Sequence, residues 1–315
     1  MTGTRWAVLG SANIAAKSFL PAMRDAGGRA VVVGSRNAER ARGWADENQV
    51  DRVASYDEAI NADDVDAIYI ALPNHEHVPW AAKAAATGRA VLCEKPLGVD
   101  LPDTEKLLRT LDANALVWEA FVFPFHPQTD LLRSQLAELG EVRQIMSEFT
   151  FSPPEESNIR WQPDLGGGAL RDVGCYCVRL GRLLFDAEPE HAAARVFRLH
   201  GVDADTDGIL DFAGERRLVF SASMRRPFST ATRIIGTDGE LRVSNPFHPN
   251  AGDTVQRWAD GRMVEEWAAD GKPAFQYGVE HIQAVLAGET EPRHLAGTDA
   301  GGNARALDMI IAAAG

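Results

Sequence analysis

Tyrosine is scarce in this chain, with 4 in 315 residues, and cysteine is scarcer still at 3. Cys93, Cys175 and Cys177 cannot form a disulfide framework, so reduced thiols and a cytoplasmic location are the expectation. No apolar run approaches the ~20 residues of a membrane span. Met1-Thr2-Gly3-Thr4-Arg5 passes straight into a strand pattern without an apolar leader. Basic charge is outnumbered: 32 Lys and Arg against 45 Asp and Glu leave a net charge of −13. That balance excludes broad binding to nucleic acid or anionic membranes, yet leaves room for a small anion held by a few local cations. Apolar residues are plentiful, at 45% of the chain, enough for one large or two ordinary domains.

Trp6-Ala7-Val8-Leu9-Gly10 is an apolar run closed by glycine, a buried-strand pattern. The following Gly10-Ser11-Ala12-Asn13-Ile14-Ala15 opens a helical pattern and reads as a degenerate G-x-G-x-x-G with alanine at the second and third places. Pyrophosphate binding needs a tight turn at Gly10 and small side chains where backbone meets ligand and helix meets sheet, which alanine can supply. A second strand, Ala30–Gly34, ends in Ser35-Arg36-Asn37 where NAD-binding folds carry an acid for the ribose 2′-OH. A hydroxyl and a guanidinium there suit a 2′-phosphate, and so NADP, although NAD remains open.

A helix is expected over Ala38–Asn48 and a strand over Asp66–Pro73. Pro73 and Asn74 then line a loop at the strand's carboxyl edge, where nucleotides bind in open α/β sheets, and His77 reads equally as part of that loop or as a helix-start residue with no role. His75-Glu76-His77 is no zinc signature, and no metal is expected. The next stretch, Arg89 to Pro96, reads as a short buried strand that stops at Glu94-Lys95-Pro96, which puts a lysine at a carboxyl edge. Alone, Lys95 reads as a solvated loop lysine. Alternation of strands and helices from residue 5 to 120 predicts a doubly wound parallel sheet.

Past residue 120 the pattern becomes strand-rich, and Thr237-Asp238-Gly239 marks a hairpin. A largely antiparallel sheet is expected over 121–315, interrupted by a helix that starts near Gly166-Gly167-Gly168-Ala169. On that helix Val173, Cys177, Leu180 and Leu184 form the core stripe. Asp172, Tyr176 and Arg179 share a neighbouring face, where Arg179 reads as part of a solvated salt-bridge row. The three glycines let the backbone approach something closely.

Gly10-Ser11-Ala12-Asn13-Ile14-Ala15, Glu94-Lys95-Pro96 and Gly166 through Tyr176 together resemble the Gfo/Idh/MocA oxidoreductases over nearly the whole chain. Where many members place histidine, this chain has Tyr176, as in the branch of dihydrodiol, xylose and glucose–fructose oxidoreductases. The resemblance implies a Rossmann domain over 1–120 that binds NADP through Gly10, Ala12, Asn13, Ile14, Ser35, Arg36, Leu72, Pro73, Asn74, His77, Glu94 and Lys95. It also implies an α+β domain over 121–315 for substrate binding and oligomerisation, with a last helix able to pack back on the first domain. A homo-oligomer, dimer or tetramer, is expected through the C-terminal sheet. The implied reaction is hydride transfer at a carbinol carbon of a sugar, polyol or cyclic diol. Tyr176 would be general acid/base, Lys95 its cationic partner, and Asp172 a third group that orients substrate or Lys95. Glu94 would hold the cofactor ribose or Lys95, or simply end its strand. A ketosugar reductase of nucleotide-sugar metabolism, a redox-cycling glycosidase and a non-catalytic NADP sensor are the competing readings.

Overall fold

The computed structural model describes residues 3–152 and 155–314. Two compact units share them: the chain up to Val122 with Phe275–Gly301, and Phe123–Ala274 with the residues from Gly302 onward.

In the first unit the described residues form a six-stranded parallel sheet of β1 (Arg5–Leu9), β2 (Arg29–Gly34), β3 (Val53–Ala54), β4 (Ala67–Ile70), β5 (Ala90–Cys93) and β6 (Val117–Glu119), in the order β3-β2-β1-β4-β5-β6. Trp6 to Leu9, Ala67 to Ile70 and Val91 are fully buried, as apolar runs covered on both faces should be. Helices α1 (Leu20–Asp25), α2 (Ala38–Glu47), α3 (Tyr56–Ile60), α4 (His77–Ala85) and α5 (Leu101–Leu108) connect the strands. Strand order reverses between β1 and β4, which makes their carboxyl edge the ligand-binding position in such sheets. The short β3 and α3 fall outside the sequence-based expectation. Yet α3 carries a full capping box, with the Ser55 hydroxyl accepting from the Glu58 backbone and the Glu58 carboxylate accepting from the Ser55 backbone.

Helix α8 (Ala274–Leu286) lies mostly in this unit. Its His281 Nε2 accepts from the Arg293 backbone N–H at 3.1 Å, while Trp118 Nε1 donates to the Arg293 carbonyl at 2.8 Å. Burial, then the Arg293 charge, pulls the His281 pKa down to about 4. The imidazole is therefore neutral in the fold but titrates near ~6.5 in the unfolded chain. Its contribution to stability is complete above that value and is lost as pH falls toward 4. His281→Gln should flatten part of the fall in Tm between pH 6.5 and 4.5; an unchanged slope would assign that fall to the carboxylates alone.

The second unit is built on an eight-stranded sheet, ordered β14-β13-β12-β11-β7-β10-β9-β8. Its strands are β7 (Val142–Thr150), β8 (Pro189–Leu199), β9 (Val202–Phe212), β10 (Arg216–Ser223), β11 (Thr232–Gly236), β12 (Glu240–Val243), β13 (Thr254–Ala259) and β14 (Arg262–Ala268). All neighbours are antiparallel except β7 and β10. Thr237–Gly239 turns the β11–β12 hairpin, with Gly236 N–H on the Gly239 carbonyl at 2.9 Å. α6 (Pro127–Gln135) is capped by His126, whose Nδ1 accepts from the Gln128 backbone at 3.0 Å. α7 (Cys175–Phe185) lies on β10. A Cβ on Gly174 would come within 3.1 Å of the Ala222 Cβ, and one on Gly181 within 2.8 Å of Leu218. These two glycines, a heptad apart, let the helix settle directly on the strand. The last helix, α9 (Ala296–Ala313), spans the division between the units.

Candidate active site

In the first unit the predicted nucleotide residues collect along one sheet edge. Gly10 closes β1 with φ +96°, and its N–H donates to the Gly34 carbonyl at 3.0 Å. A Cβ there would lie 2.5 Å from the Ala71 carbonyl oxygen, so the first glycine of the motif is fixed by the neighbouring strand. Asn13 and Ile14 follow and are exposed. The helix then starts as a π turn, Ala15–Phe19, before α1. Ser35 and Arg36 stand at the end of β2, next to β1 in the sheet. Arg36 is exposed and within hydrogen-bonding reach of the Tyr56 phenol. Asn37 caps α2 by accepting from the Arg40 backbone. The tight Gly10 turn, the small residues after it and the guanidinium at the end of β2 fit an adenine dinucleotide with a 2′-phosphate.

The Glu94–Leu97 turn is held from three sides. Tyr69, fully buried in β4, donates its hydroxyl to Glu94 at 2.6 Å. Leu97 N–H donates to the Glu119 carboxylate at 2.8 Å. The His77 ring lies 2.8 Å from the Pro96 carbonyl oxygen. Glu94 is 8% exposed and takes a hydrogen bond inside the sheet edge, while Lys95 is half-buried. His77 is fully buried with each ring nitrogen against a backbone carbonyl, Pro96 and Leu72. That geometry corrects its reading as a direct cofactor contact, since the ring keeps no polar atom to offer. Cys93, behind the turn, is held well above the ordinary thiol range by burial and the charges of Glu94 and Glu119.

In the second unit Asp172 and Tyr176 sit where the helix passes from a π turn, Leu170–Gly174, into α7. A π turn of this kind recurs at functional sites because it re-aims one side chain without breaking the helix. Tyr176 is 6% exposed, in a cradle of Phe123, Phe149, Phe247 and His248 at ring distances of 5.3–6.3 Å. Asp172 accepts from Arg160 Nε at 2.6 Å, and the Arg160 guanidinium lies over the Phe151 ring. Arg160 is the site residue that sequence reading left without a role; its place in Asn158-Ile159-Arg160-Trp161, ahead of the glycines, was the available signal. Arg179 is buried, at 5% exposed, which corrects its reading as part of a solvated row: α7 is covered nearly all round.

Two of the three glycines approach the protein itself. A Cβ on Gly167 would meet the Arg160 carbonyl at 2.4 Å, and one on Gly168, at φ +122°, would meet Asp203 Oδ1 at 2.0 Å. Asp203 Oδ2 accepts from Leu170 N–H at 2.6 Å and from Thr206 at 2.9 Å. Burial pushes the Asp203 pKa up, while the Leu170 N–H opposes that shift. Asp203 thus anchors the first turn of the helix that carries Asp172 and Tyr176.

A doubly wound sheet with this glycine turn defines a dinucleotide-binding protein. The model of the oxidoreductase family with an NAD-binding Rossmann fold, Gfo/Idh/MocA, matches residues 4–121. The model of its C-terminal domain matches residues 132–242. The chain is 36% identical to the NADP-dependent D-xylose 1-dehydrogenase 2 of Haloferax volcanii, over 90% of this chain and 89% of that one. It is 31% identical to trans-1,2-dihydrobenzene-1,2-diol dehydrogenase of Xenopus laevis, over 90% and 89% of the two chains. A solved 3-ketoreductase of Actinomadura kijaniata, in complex with NADP and TDP-benzene, superposes with a TM-score of 0.87, 29% identity and coverage of 97% and 96%. The chain belongs to the Gfo/Idh/MocA oxidoreductase family.

Proposed function

We propose that this protein catalyses NADP-dependent hydride transfer at a carbinol carbon of a sugar, polyol or cyclic diol, with Tyr176 as general acid/base and Lys95 as its cationic partner. The carrying observation is Tyr176 itself: a phenol on a glycine-seated helix, walled by aromatic rings and one helical turn from the Asp172–Arg160 pair. Bound NADP would supply or accept the hydride. Gly10, Ala12, Asn13 and Ile14 would meet its pyrophosphate, Ser35 and Arg36 its 2′-phosphate, and Leu72, Pro73 and Asn74 its nicotinamide half. In the reducing direction Tyr176 gives its proton to the carbonyl oxygen; in the oxidising direction it takes the hydroxyl proton. Lys95 stabilises the charge that develops on that oxygen and favours the phenolate. Asp172, joined to Arg160, orients a neighbouring substrate hydroxyl. Solved forms of the A. kijaniata reductase include a tyrosine-to-phenylalanine and a lysine-to-alanine variant, both with NADP and TDP-benzene.

Absorbance at 340 nm, followed with NADP and a panel of aldoses, polyols and cyclic diols, tests the reading. NADP-dependent turnover of a free sugar or diol is the expected result; bound nucleotide without turnover of any substrate would favour a sensor. A nucleotide-linked ketosugar is the second reading, favoured by the TDP-benzene complex of the A. kijaniata reductase. Turnover confined to a TDP-sugar arm of the panel would select it. Arg36→Asp should reverse the cofactor preference by about tenfold or more, since it replaces a phosphate partner with a carboxylate suited to a free 2′-OH. An unchanged ratio of kcat/KM for NADP and NAD would reduce Arg36 to a surface residue.

The face of the eight-stranded sheet opposite α7 carries Met146, Ala193, Ile209 and Val219, bordered by Arg195, Arg233, Glu148 and Asp207. Its occupant in this reading is a second copy of the chain, because an apolar centre with a rim of both charge signs can complement itself. Light scattering should give a dimer or a dimer of dimers, with Val219→Arg shifting it toward monomer; a monomeric native protein would reject the reading.

A further inference from the structure

His77 opens α4 and is fully buried. Its Nδ1 lies 2.8 Å from the Pro96 carbonyl oxygen and its Nε2 2.8 Å from that of Leu72. Pro96 directly follows Lys95, and Leu72 directly precedes Pro73 and Asn74. One ring therefore spans the backbones of two loops that leave the paired strands β4 and β5 at their carboxyl edge. Both of its partners are acceptors. A neutral imidazole carries a single N–H and would turn a lone pair toward one of these carbonyls, whereas an imidazolium donates to both. Two further braces hold the turn, Tyr69 on Glu94 and Glu119 on Leu97.

We propose that His77 is a positioning residue for Lys95: as a double hydrogen-bond donor it ties the Pro96 carbonyl to the Leu72 carbonyl, and so fixes the lysine turn against the loop carrying Pro73 and Asn74. The inference rests on the reading of Lys95 as a participant in the reaction. The ring's charge is contested. Burial is the largest influence, and with the nearby charges of Lys95 and His75 it outweighs the two carbonyls, so the pKa lies below the ordinary imidazole value and the double-donor state belongs to the acid side of neutrality. On losing its proton the ring keeps one tie and releases the other, and the lysine turn loosens. A space-filling ring would leave no such mark on a pH profile.

The test joins kinetics with nitrogen NMR on the whole protein. His77→Phe keeps volume and loses both ties; His77→Gln retains one donor and one acceptor, and with them one tie. In the Phe variant kcat should fall about tenfold to a hundredfold, as expected for a displaced reacting group, with a smaller fall in the Gln variant. KM for NADP should move less than about threefold in both. The native enzyme should lose activity as pH rises through the His77 titration, and both variants should lack that limb. Among the 8 histidines, the ¹⁵N signals lost in His77→Gln belong to residue 77. They should report two protonated ring nitrogens on the acid side of the titration and one above it. A single neutral tautomer at every pH at which the enzyme is folded and active overturns the proposal, as does an unchanged kcat and pH profile in folded His77→Phe. If the Phe variant does not fold, the Gln variant and the NMR decide. The NMR arm needs no turnover: a doubly protonated ring together with full activity in Lys95→Met would uphold the clasp and overturn the role of Lys95 instead.

Discussion

Tyr176→Phe should lower kcat by about 10²–10⁴-fold while leaving NADP(H) binding within about twofold of native, the loss expected when a general acid/base is removed. The substitution deletes one oxygen and keeps the ring. The cradle of Phe123, Phe149, Phe247 and His248 is therefore preserved, and α7 keeps its seat on β10. The residues proposed to hold the nucleotide belong to the first unit, so cofactor affinity should be insensitive to the change. Single-turnover hydride transfer and fluorescence titration with NADPH separate the two quantities. Near-native turnover in the variant would remove Tyr176 from the chemistry and direct attention to Asp172.

The second large effect is expected at Lys95. Lys95→Met keeps the length of the side chain and removes its charge, and kcat/KM should fall by about 10²–10³-fold, the range for losing one donor to a developing oxyanion. The pH profile should change with it. A phenol without a neighbouring ammonium titrates near ~10, so the limb that reports deprotonation of the base should move to higher pH in the variant. A uniform loss of rate with an unmoved limb would show that Lys95 binds substrate without tuning the phenol. If the two groups act on one carbinol oxygen, the Lys95→Met, Tyr176→Phe double variant should lose much less than the product of the single losses. Multiplicative losses would separate their roles.

The scaffold was legible where burial is two-sided and continuous. β1, β2, β4 and β5 read directly as apolar runs, and the strand end at Glu94-Lys95-Pro96 marked the sheet edge. β13 and β14 were missed because Thr254–Ala259 and Arg262–Ala268 are largely solvent-facing and carry little apolar contrast. The Asp260-Gly261 pair between them was the signal that could have found the hairpin. Two-residue β3 is too short for any periodicity to declare it.

Within the site, side chains that act on backbone were illegible. His77 answers to carbonyls 5 and 19 residues away, and a backbone oxygen has no sequence signature. The triple glycine announced a close approach, but nothing in the pattern named the Asp203 carboxylate, 35 residues beyond Gly168, as the group approached. Arg160 and Asp172 are 12 residues apart across an irregular loop, so no helical spacing pairs them.

The anchoring of Gly167 and Gly168 on the Arg160 carbonyl and the Asp203 carboxylate divides labour along the chain. Upstream, Asn158 to Gln162 forms a short turn of the second unit whose exposed Ile159 and Gln162 side chains can change without touching the Arg160–Asp172 pair. Downstream, the helix that carries Asp172 and Tyr176 is moored by a carboxylate that belongs to a different element, the β9 strand. Substitutions at those two positions can therefore accumulate without disturbing where the phenol stands. On such a mount the surface turn can diverge by substitution while the helix that carries Tyr176 inherits its place intact.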